Sequence, residues 1–291
     1  MKKIDIGDRK IISSFIDMYQ ITTSEISFTN LFAWREKYNF HYIILDDYLW
    51  LINIKNDKYY LSQPIGNYDN LIDLTQSIES MEEFLNGKPF IIKKSDEKFL
   101  NTIRDMNFSY SYIGIRNDFD YLYDFEKMKS LSGNKYHKKK NHINQFLSKY
   151  DNWHYESLSI KNFKDVKEVC LDWFKDKKGD DLIELDAIYD VLLNFDELDI
   201  SGGVLYIELK PVAFVIGERL NKNTLVMHFE KAISGYHGLY PMVFNQYIKS
   251  LEGYKYVNRE QDLGIEGLRK SKLSYHPVDL IKKFNIRIGD K

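Results

Sequence analysis

Residues 204–230 read VLYIELKPVAFVIGERLNKNTLVMHFE and hold the clearest structural signal in the chain. Branched, aromatic and other apolar residues fill three runs, and turn signals at 210–211 and 221–223 separate them. This pattern predicts three consecutive strands of an antiparallel sheet, at 204–209, 211–219 and 224–230.

The elements around these strands follow from periodicity and from breaks in the pattern. Apolar residues at helical spacing predict helices, and short branched or aromatic runs predict strands. In chain order, the second half is predicted as strand 153–157, helices 160–174 and 182–195, the three strands, helix 240–251, strand 254–257, helix 265–274 and strand 280–288.

The first half of the chain carries the same order of elements. A Ser-Gly-Asn break at 132–134 and a basic helix at 135–150 separate the two halves. The first half is predicted as a helix at 11–19, a helix capped by Ser24, strands 41–45, 48–54 and 58–61, helix 70–85, strand 90–92, a helix from 95, and strands 110–115 and 121–123.

The same order of elements therefore occurs twice: two helices, three antiparallel strands, a helix, a strand, a helix and a strand. This is the element order of the acyl-CoA N-acyltransferase (GNAT-like) fold, in which the sheet splays between its fourth and fifth strands. We predict an α+β protein of two tandem GNAT-like domains, each a mixed, mostly antiparallel sheet flanked by helices. The predicted domains are 1–130 and 151–291, joined by a basic connecting helix in 131–150. A single irregular α+β domain is the alternative.

Composition narrows the classes of function. The 291 residues correspond to about two domains of ordinary size. Lys and Arg total 41 against 43 Asp and Glu, so no global basicity indicates a nucleic-acid-binding protein. A single cysteine, Cys170, excludes an internal disulfide and a cysteine zinc cluster, which suits a reducing cytoplasm. No apolar run approaches the ~20 residues of a membrane span. We expect a cytoplasmic protein without a transmembrane segment, which reaches any lipid from the membrane surface.

Charged residues are concentrated where strand 254–257 passes into helix 265–274. Five ionisable residues lie between Arg259 and Arg269, and Gly264 permits close backbone approach there. His228 and Glu230 alternate on strand 224–230, so they face the same side, and Glu230 is a candidate general base. The pattern predicts a charged pocket at the splayed end of the second sheet. Solvated charges around the start of a helix are the alternative.

Two glycine-containing loops and one basic run are candidate phosphate sites. Neither 232–238, with Gly235 and Gly238, nor 63–68 matches the loop that binds coenzyme A, and both are alternatively strand-to-helix turns. The basic run favours phosphate, on tRNA or on a lipid headgroup, and a solvated helix face is the alternative. Its cationic residues are Lys135, His137, Lys138, Lys139, Lys140 and His142.

Several motifs resemble one known family. Gly267-Leu268-Arg269, followed by Lys272 and Tyr275-His276-Pro277, resembles a pattern near the end of the phosphatidylglycerol lysyltransferase C-terminal domain, which also occurs as a stand-alone protein. Asn258-Arg259-Glu260 with Asp262-Leu263-Gly264 resembles its late Asn, Glu, Asp-Leu-Gly motif, and 27–35 and 131–141 resemble earlier segments. The resemblance covers nearly the whole chain. It implies a tandem acyltransferase-like fold and transfer of an aminoacyl group from charged tRNA to a lipid hydroxyl.

The resemblance and the residues together lead to one hypothesis for the site. Glu230 or Asp262 accepts a proton from the nucleophile, while Lys272, which matches a family lysine near the aminoacyl ester, and amides around 235–238 stabilise the acyl oxygen. Arg259 and Arg269 hold phosphate or carboxylate. The remaining predicted substrate-binding residues are Gly235, Gly238, Asn258, Glu260, Lys138, Lys139 and Lys140.

The donor is expected to be aminoacyl-tRNA, with coenzyme A thioesters as the alternative, and no metal site is expected. The acceptor is a lipid headgroup or another small molecule, so peripheral contact with anionic lipid is part of the hypothesis. Two rival functions are an acyl-CoA-dependent N-acetyltransferase and a non-catalytic binding protein that keeps the fold.

Overall fold

The computed structural model describes residues 1–106, 108–175, 177 and 180–289. Its strands are β1 (Lys2–Lys3), β2 (Phe40–Leu45), β3 (Tyr48–Lys55), β4 (Lys58–Leu61), β5 (Phe90–Ser95), β6 (Tyr110–Gly114), β7 (Asp120–Asp124), β8 (Trp153–Ser157), β9 (Ile200–Ile207), β10 (Lys210–Asn221), β11 (Thr224–Ala232), β12 (Tyr256–Asn258), β13 (Asp279–Ile281) and β14 (Phe284–Ile288). Its α-helices are α1 (Arg9–Tyr19), α2 (Phe28–Ala33), α3 (Arg35–Tyr38), α4 (Leu71–Phe84), α5 (Glu97–Arg104), α6 (Phe125–Ser130), α7 (His137–Lys149), α8 (Phe163–Phe174), α9 (Asp180–Leu193), α10 (Leu239–Lys249) and α11 (Glu266–Leu273).

The first compact unit contains a seven-stranded sheet in the order β1-β2-β3-β4-β5-β14-β6. Its residues are Met1–Asp120, Gln261–Ile265 and Leu280–Lys291. Strands β2, β3 and β4 form the antiparallel meander predicted from the sequence, and β5 lies parallel to β4. Apolar side chains from β3, α4 and α5 form the buried core of this unit, among them Trp50, Ile78 and Phe99.

The second compact unit comprises Tyr121–Glu260 and Glu266–Asp279. The sheet built around it has seven strands in the order β13-β7-β12-β11-β10-β9-β8. Strands β9, β10 and β11 are the meander predicted from residues 204–230, and β12 is parallel to β11. Helices α8 and α10 pack on β10. The predicted fold class, α+β with mixed and mostly antiparallel sheets flanked by helices, is confirmed.

The C-terminal strand differs from its prediction. The sequence predicts one strand at 280–288, whereas the structure has β13 in the second sheet and β14 in the first, between β5 and β6. The compact units therefore interleave along the chain, and the division at residues 130 and 150 remains a prediction about domains. Alternating apolar residues predict that a strand forms, but they do not specify the strand with which it pairs.

The second helix also differs from its prediction. Ser24 lies in a short 3₁₀ turn, and the side chain that caps α2 is Ser27, whose hydroxyl accepts a hydrogen bond from the Asn30 N–H at 3.2 Å. Trp34 leaves the helical region, so α2 and α3 are separate. Helix α6 is absent from the sequence-based prediction. No helix in the described ranges has the length and apolarity needed to cross a bilayer.

A buried group of charges lies in the first unit beside β14. The Lys283 side chain is 0% exposed, and its ammonium contacts Asp120 Oδ1 at 2.5 Å and Glu25 Oε2 at 2.5 Å. Glu25 also accepts from Lys94 Nζ at 2.8 Å. Burial opposes the charge on Glu25, but Lys283 and Lys94 outweigh burial and lower the pKa of Glu25 to about 2. Lys283 is therefore the buried cation that the fully buried Asp120 and the partly buried Glu25 share.

Candidate functional site

The second sheet opens between β11 and β12. The recorded ladder joins Thr224–Val226 of β11 to Tyr256–Asn258 of β12, and β11 then continues to Ala232 beside β10 alone in the described part of the chain. The recorded pairing thus ends after three residues, and we call the region between the rest of β11 and the turn after β12 the wedge. Charged and polar side chains line this wedge.

His228 occupies the inner part of the wedge. Its Nδ1 lies 2.9 Å from Glu260 Oε1, and its Nε2 lies 2.9 Å from Glu218 Oε1. Burial lowers the pKa of the imidazole, but the two carboxylates outweigh burial and raise it to about 9. At neutral pH the ring is therefore a cation that donates one hydrogen bond to each carboxylate and links β11 to the turn after β12.

Glu230 and Arg259 occupy the next position outward. Arg259 Nη2 donates to Glu230 Oε2 at 2.5 Å, and the guanidinium lies 4.2 Å from the Phe244 ring centroid and 4.8 Å from that of Tyr275. Burial opposes the charge of Arg259, yet Glu230 and the aromatic hydroxyls raise its pKa. Two further polar atoms of this pair, Glu230 Oε1 and Arg259 Nη1, are buried and have no hydrogen-bond partner among the described residues. One acceptor and one donor thus remain available for a ligand.

Lys139 brings a third charge to this pair. It lies on α7, and its ammonium is 4.0 Å from the centroid of the Tyr275 ring. Burial lowers the pKa of Lys139, Arg259 lowers it further and Glu230 raises it, with the result at about 8. An ammonium with a pKa near the working pH is suited to proton transfer. We call Glu230, Arg259, Tyr275, Phe244 and Lys139 the acyl pocket.

Lys272 contacts the backbone that carries Arg259. Its ammonium donates to the backbone carbonyls of Arg259 at 2.6 Å and of Glu260 at 3.2 Å, and its own carbonyl accepts from the Tyr123 hydroxyl at 2.8 Å. Asn258 Oδ1 accepts from the Glu260 N–H at 2.8 Å, and Glu260 has a φ of +55°. Lys272 and Asn258 therefore fix the strained turn that presents Arg259, so their recorded contacts are those of positioning residues.

The remaining predicted residues lie elsewhere. Asp262 belongs to the first unit, where its buried carboxylate contacts Arg116 Nη1 at 3.4 Å and accepts from the Gly264 N–H at 2.8 Å. Arg269 lies half-buried on α11, and Lys138 and Lys140 are exposed on α7. The recorded contacts of the acyl pocket involve none of these four residues. Their predicted roles remain predictions.

The loop before α10 packs against α7. Gly238 has a φ of +78°, and a Cβ there would lie 2.6 Å from the His142 carbonyl oxygen. The His237 N–H donates to the Tyr150 hydroxyl at 3.2 Å. Gly235 is exposed with a φ of +89° and open space around it. Gly238 is thus required for close packing of this loop on α7, and the His237 amide already has a partner.

Three residues in or beside the acyl pocket were missing from the sequence-based set of site residues. Phe244 and Tyr275 form the aromatic surface on which Arg259 lies, and Glu218 is the second carboxylate on His228. Glu218 had a signal, because a carboxylate within the apolar run at 211–219 must find a partner when it is buried. Phe244 had none, since an apolar residue on a helix is ordinarily a core residue.

The charge on His228 predicts a pH-dependent stability. Because the folded-state pKa of about 9 lies above the unfolded value of about 6.5, the stabilisation is complete below pH 6.5 and is lost as pH rises toward 9. We expect the unfolding free energy from urea titrations to fall by about 3 kcal/mol over this window. His228→Gln should lack this component. An equal pH dependence in both proteins would show that His228 is not the titrating group.

Comparisons with known proteins identify the family to which the chain belongs. The family model described as phosphatidylglycerol lysyltransferase, C-terminal, matches residues 17–287. The chain belongs to this family. Family membership supports an enzyme that transfers an aminoacyl or acyl group, and it confirms the resemblance found in the late motifs.

Solved structures and a curated relative add detail. A conserved protein of unknown function from Bacteroides thetaiotaomicron is 29% identical with a TM-score of 0.91, over 99% of each chain. The L-PGS from Bacillus licheniformis is 14% identical with a TM-score of 0.69, over 100% of this chain and 94% of the other, and shares the fold. An uncharacterized protein of Mycoplasmoides gallisepticum is 24% identical over 58% of this chain, and the match spans 56% of that relative.

Proposed function

We propose that the protein transfers an aminoacyl group from charged tRNA to an acceptor hydroxyl or amine, and that the reaction takes place in the acyl pocket. The observation that carries this proposal is the buried Glu230–Arg259 pair, in which one carboxylate oxygen and one guanidinium nitrogen have no partner among the described residues. Burying such atoms without a ligand costs free energy, which a substrate with a matching donor and acceptor recovers.

The two atoms without a partner match two needs of acyl transfer, a hydrogen-bond donor to the acyl oxygen and an acceptor for the proton of the nucleophile. Arg259 Nη1 donates to the carbonyl oxygen of the aminoacyl ester, where negative charge develops as the nucleophile attacks. Glu230 Oε1 accepts the proton of the attacking hydroxyl or amine. The new bond joins the nucleophile to the carbonyl carbon, and the bond that breaks joins this carbon to the ribose oxygen of the tRNA.

The leaving ribose oxygen also needs a proton. Lys139 is positioned to supply it, since its ammonium lies over Tyr275 within the electrostatic influence of both Glu230 and Arg259. After transfer, Glu230 holds one proton and Lys139 has lost one, and exchange with water restores both groups. Lys272 and Asn258 keep the turn that carries Arg259 in place.

Two rival functions differ in their use of the loop before α10. An acyl-CoA-dependent N-acetyltransferase needs backbone amides that face a pyrophosphate at the start of a helix. Here the His237 amide donates to Tyr150, and Gly238 packs on α7. A non-catalytic binding protein would use the same Glu230–Arg259 pair to hold a ligand and would transfer no acyl group from either donor.

The test is a transfer assay with tRNA that carries radiolabelled amino acids, alongside labelled acetyl-CoA, each offered with phosphatidylglycerol vesicles and with small amines. We expect transfer from tRNA, with a rate that falls as pH rises through about 8, because Lys139 loses the proton it must donate. Lys139→Arg should be slow and lack this alkaline limb, since guanidinium does not deprotonate in this range. Transfer from acetyl-CoA alone, or from neither donor, would overturn the proposal.

A further inference from the structure

Two histidines of the second unit, which the proposed transfer reaction does not use, meet at the surface. His142 lies on α7, and His237 lies in the loop between β11 and α10. His142 Nδ1 lies 3.2 Å from His237 Nε2, and the same His237 nitrogen lies 2.7 Å from Gln145 Oε1. We call these three side chains the histidine cluster. The two histidines are 95 positions apart in the chain, whereas short metal-binding motifs place paired ligands a few positions apart, so the sequence did not indicate the cluster.

The backbone on both sides of the histidine cluster is held in place. The His237 N–H donates to the Tyr150 hydroxyl at 3.2 Å, and a Cβ at Gly238 would lie 2.6 Å from the His142 carbonyl oxygen. The loop therefore approaches α7 as closely as only a glycine allows. His142 and Gln145 are three residues apart on the helix, so they share the face that the loop covers. The three side chains are thus brought together by contacts that do not depend on a ligand.

The separation of the two imidazole nitrogens matches that of two ligands on one metal ion. Zn–N bonds of about 2.0–2.1 Å place two nitrogens of a tetrahedral site about 3.3–3.4 Å apart. His142 Nδ1 and His237 Nε2 are 3.2 Å apart. A proton on His237 Nε2 satisfies both neighbouring atoms when no metal is bound, and a metal ion takes its place when the ring carries its hydrogen on Nδ1. Gln145 is exposed, so a small rotation of its side chain brings Oε1 to the separation of a third ligand.

The protonation and exposure of the histidine cluster also suit a metal ion. Burial lowers the pKa of His142, and His237 and Lys139 lower it further, so at neutral pH this imidazole offers a lone pair. Neutral imidazoles suit zinc, copper and nickel, whereas magnesium and calcium prefer oxygen ligands. The described residues contain no group of three or more His, Cys, Asp or Glu that could hold a metal ion. A site here therefore consists of two imidazoles and an amide oxygen, with room for water because all three side chains are exposed.

We propose that His142, His237 and Gln145 bind a divalent transition-metal ion of the zinc type, which ties the loop before α10 to α7. Water completes the coordination, and the ion takes no part in acyl transfer. The two elements that it joins also carry parts of the acyl pocket. Lys139 precedes His142 by about one turn of α7, and Glu230 lies near the end of β11, the strand that leads into the loop. A bound ion therefore stabilises the packing of these two elements, whatever the substrates of the pocket are.

Calorimetric titration of the full chain with Zn²⁺, without an affinity tag, tests this proposal. We expect one ion to bind per chain and the melting temperature to rise with zinc concentration, because the ion binds the folded state. His142→Asn and His237→Asn should each weaken zinc affinity at least about tenfold, since even residues outside the ligand set of a metal change its affinity by about 10–100-fold. Gln145→Glu should strengthen binding, because a carboxylate is a better zinc ligand than an amide oxygen.

His137→Asn is the matched control, because it removes an exposed imidazole from the same helix. It should bind zinc as the native protein does. Absence of saturable zinc binding, or equal affinities of the native protein, His142→Asn and His237→Asn, would overturn the proposal. Gln145→Glu keeps both imidazoles and decides the matter if a histidine variant does not fold. Stronger binding then supports the site, and unchanged binding overturns it.

Discussion

Replacement of Glu230 by glutamine should lower the rate of aminoacyl transfer by about 10²–10⁴-fold, the usual contribution of a positioned general base. Glutamine keeps the shape of the side chain and still offers an oxygen to Arg259, which donates at 2.5 Å in the native protein. It offers no site that takes up the proton of the nucleophile. Single-turnover transfer from charged tRNA, at saturating acceptor, measures this chemical step directly.

Glu252→Gln provides the control for this loss. It removes the same charge from an exposed position. It should transfer at the native rate. Urea unfolding of Glu230→Gln should establish that the variant is folded under assay conditions. A folded Glu230→Gln protein with native single-turnover rates would exclude Glu230 as the base. Glu230 would then contribute to substrate binding alone.

Replacement of Lys283 by methionine should lower the unfolding free energy by about 3–5 kcal/mol, because it removes the buried cation that the fully buried Asp120 and the partly buried Glu25 share. Methionine approximates the lysine in length, so the loss reports charge more than packing. Chemical unfolding at pH 7 measures the loss. We expect the difference from the native protein to shrink as pH falls from about 4.5 toward about 2, because the carboxylates that have lost Lys283 become neutral in the variant while native Glu25 remains charged until about pH 2.

The adjacent residue supplies the control. Lys282 has a half-exposed side chain and pairs with Glu97 at 3.3 Å on the surface. Lys282→Met should therefore change the unfolding free energy by less than about 1 kcal/mol. Equal effects of the two substitutions would contradict a special role for the buried ammonium.

Local patterns in the sequence were sufficient to predict most of the secondary-structure elements. Strand alternation in 204–230 and in 41–61 depends on neighbouring residues, so both meanders were predictable. The placement of β14 was not, because its partners β5 and β6 lie more than a hundred residues earlier in the chain and no periodicity encodes them. Ser27 rather than Ser24 caps α2, which shows how weakly one hydroxyl among several fixes a helix start.

The candidate site was predictable in its charges and not in its aromatic surface. Glu230 and Arg259 drew attention because charged residues at strand ends rarely serve packing alone, and the structure brings them together. The direction of the Lys272 side chain depends on a turn whose geometry only the folded chain defines, and its ammonium meets backbone carbonyls. Phe244 is an ordinary core residue by pattern, and Tyr275 appeared only within a family motif, so their contact with a guanidinium could not be predicted from the sequence.

The position of β14 between β5 and β6 has a consequence for folding during synthesis on the ribosome. The edge of β5 that β14 covers stays open until residue 288 has emerged, although β1 to β5 all precede β14 in the chain. Nascent chains of this kind wait with an unsatisfied strand edge, which is where non-native pairing and aggregation begin. Vectorial synthesis therefore leaves the first sheet incomplete long after its first five strands have emerged, and the emergence of β14 closes that vulnerable interval.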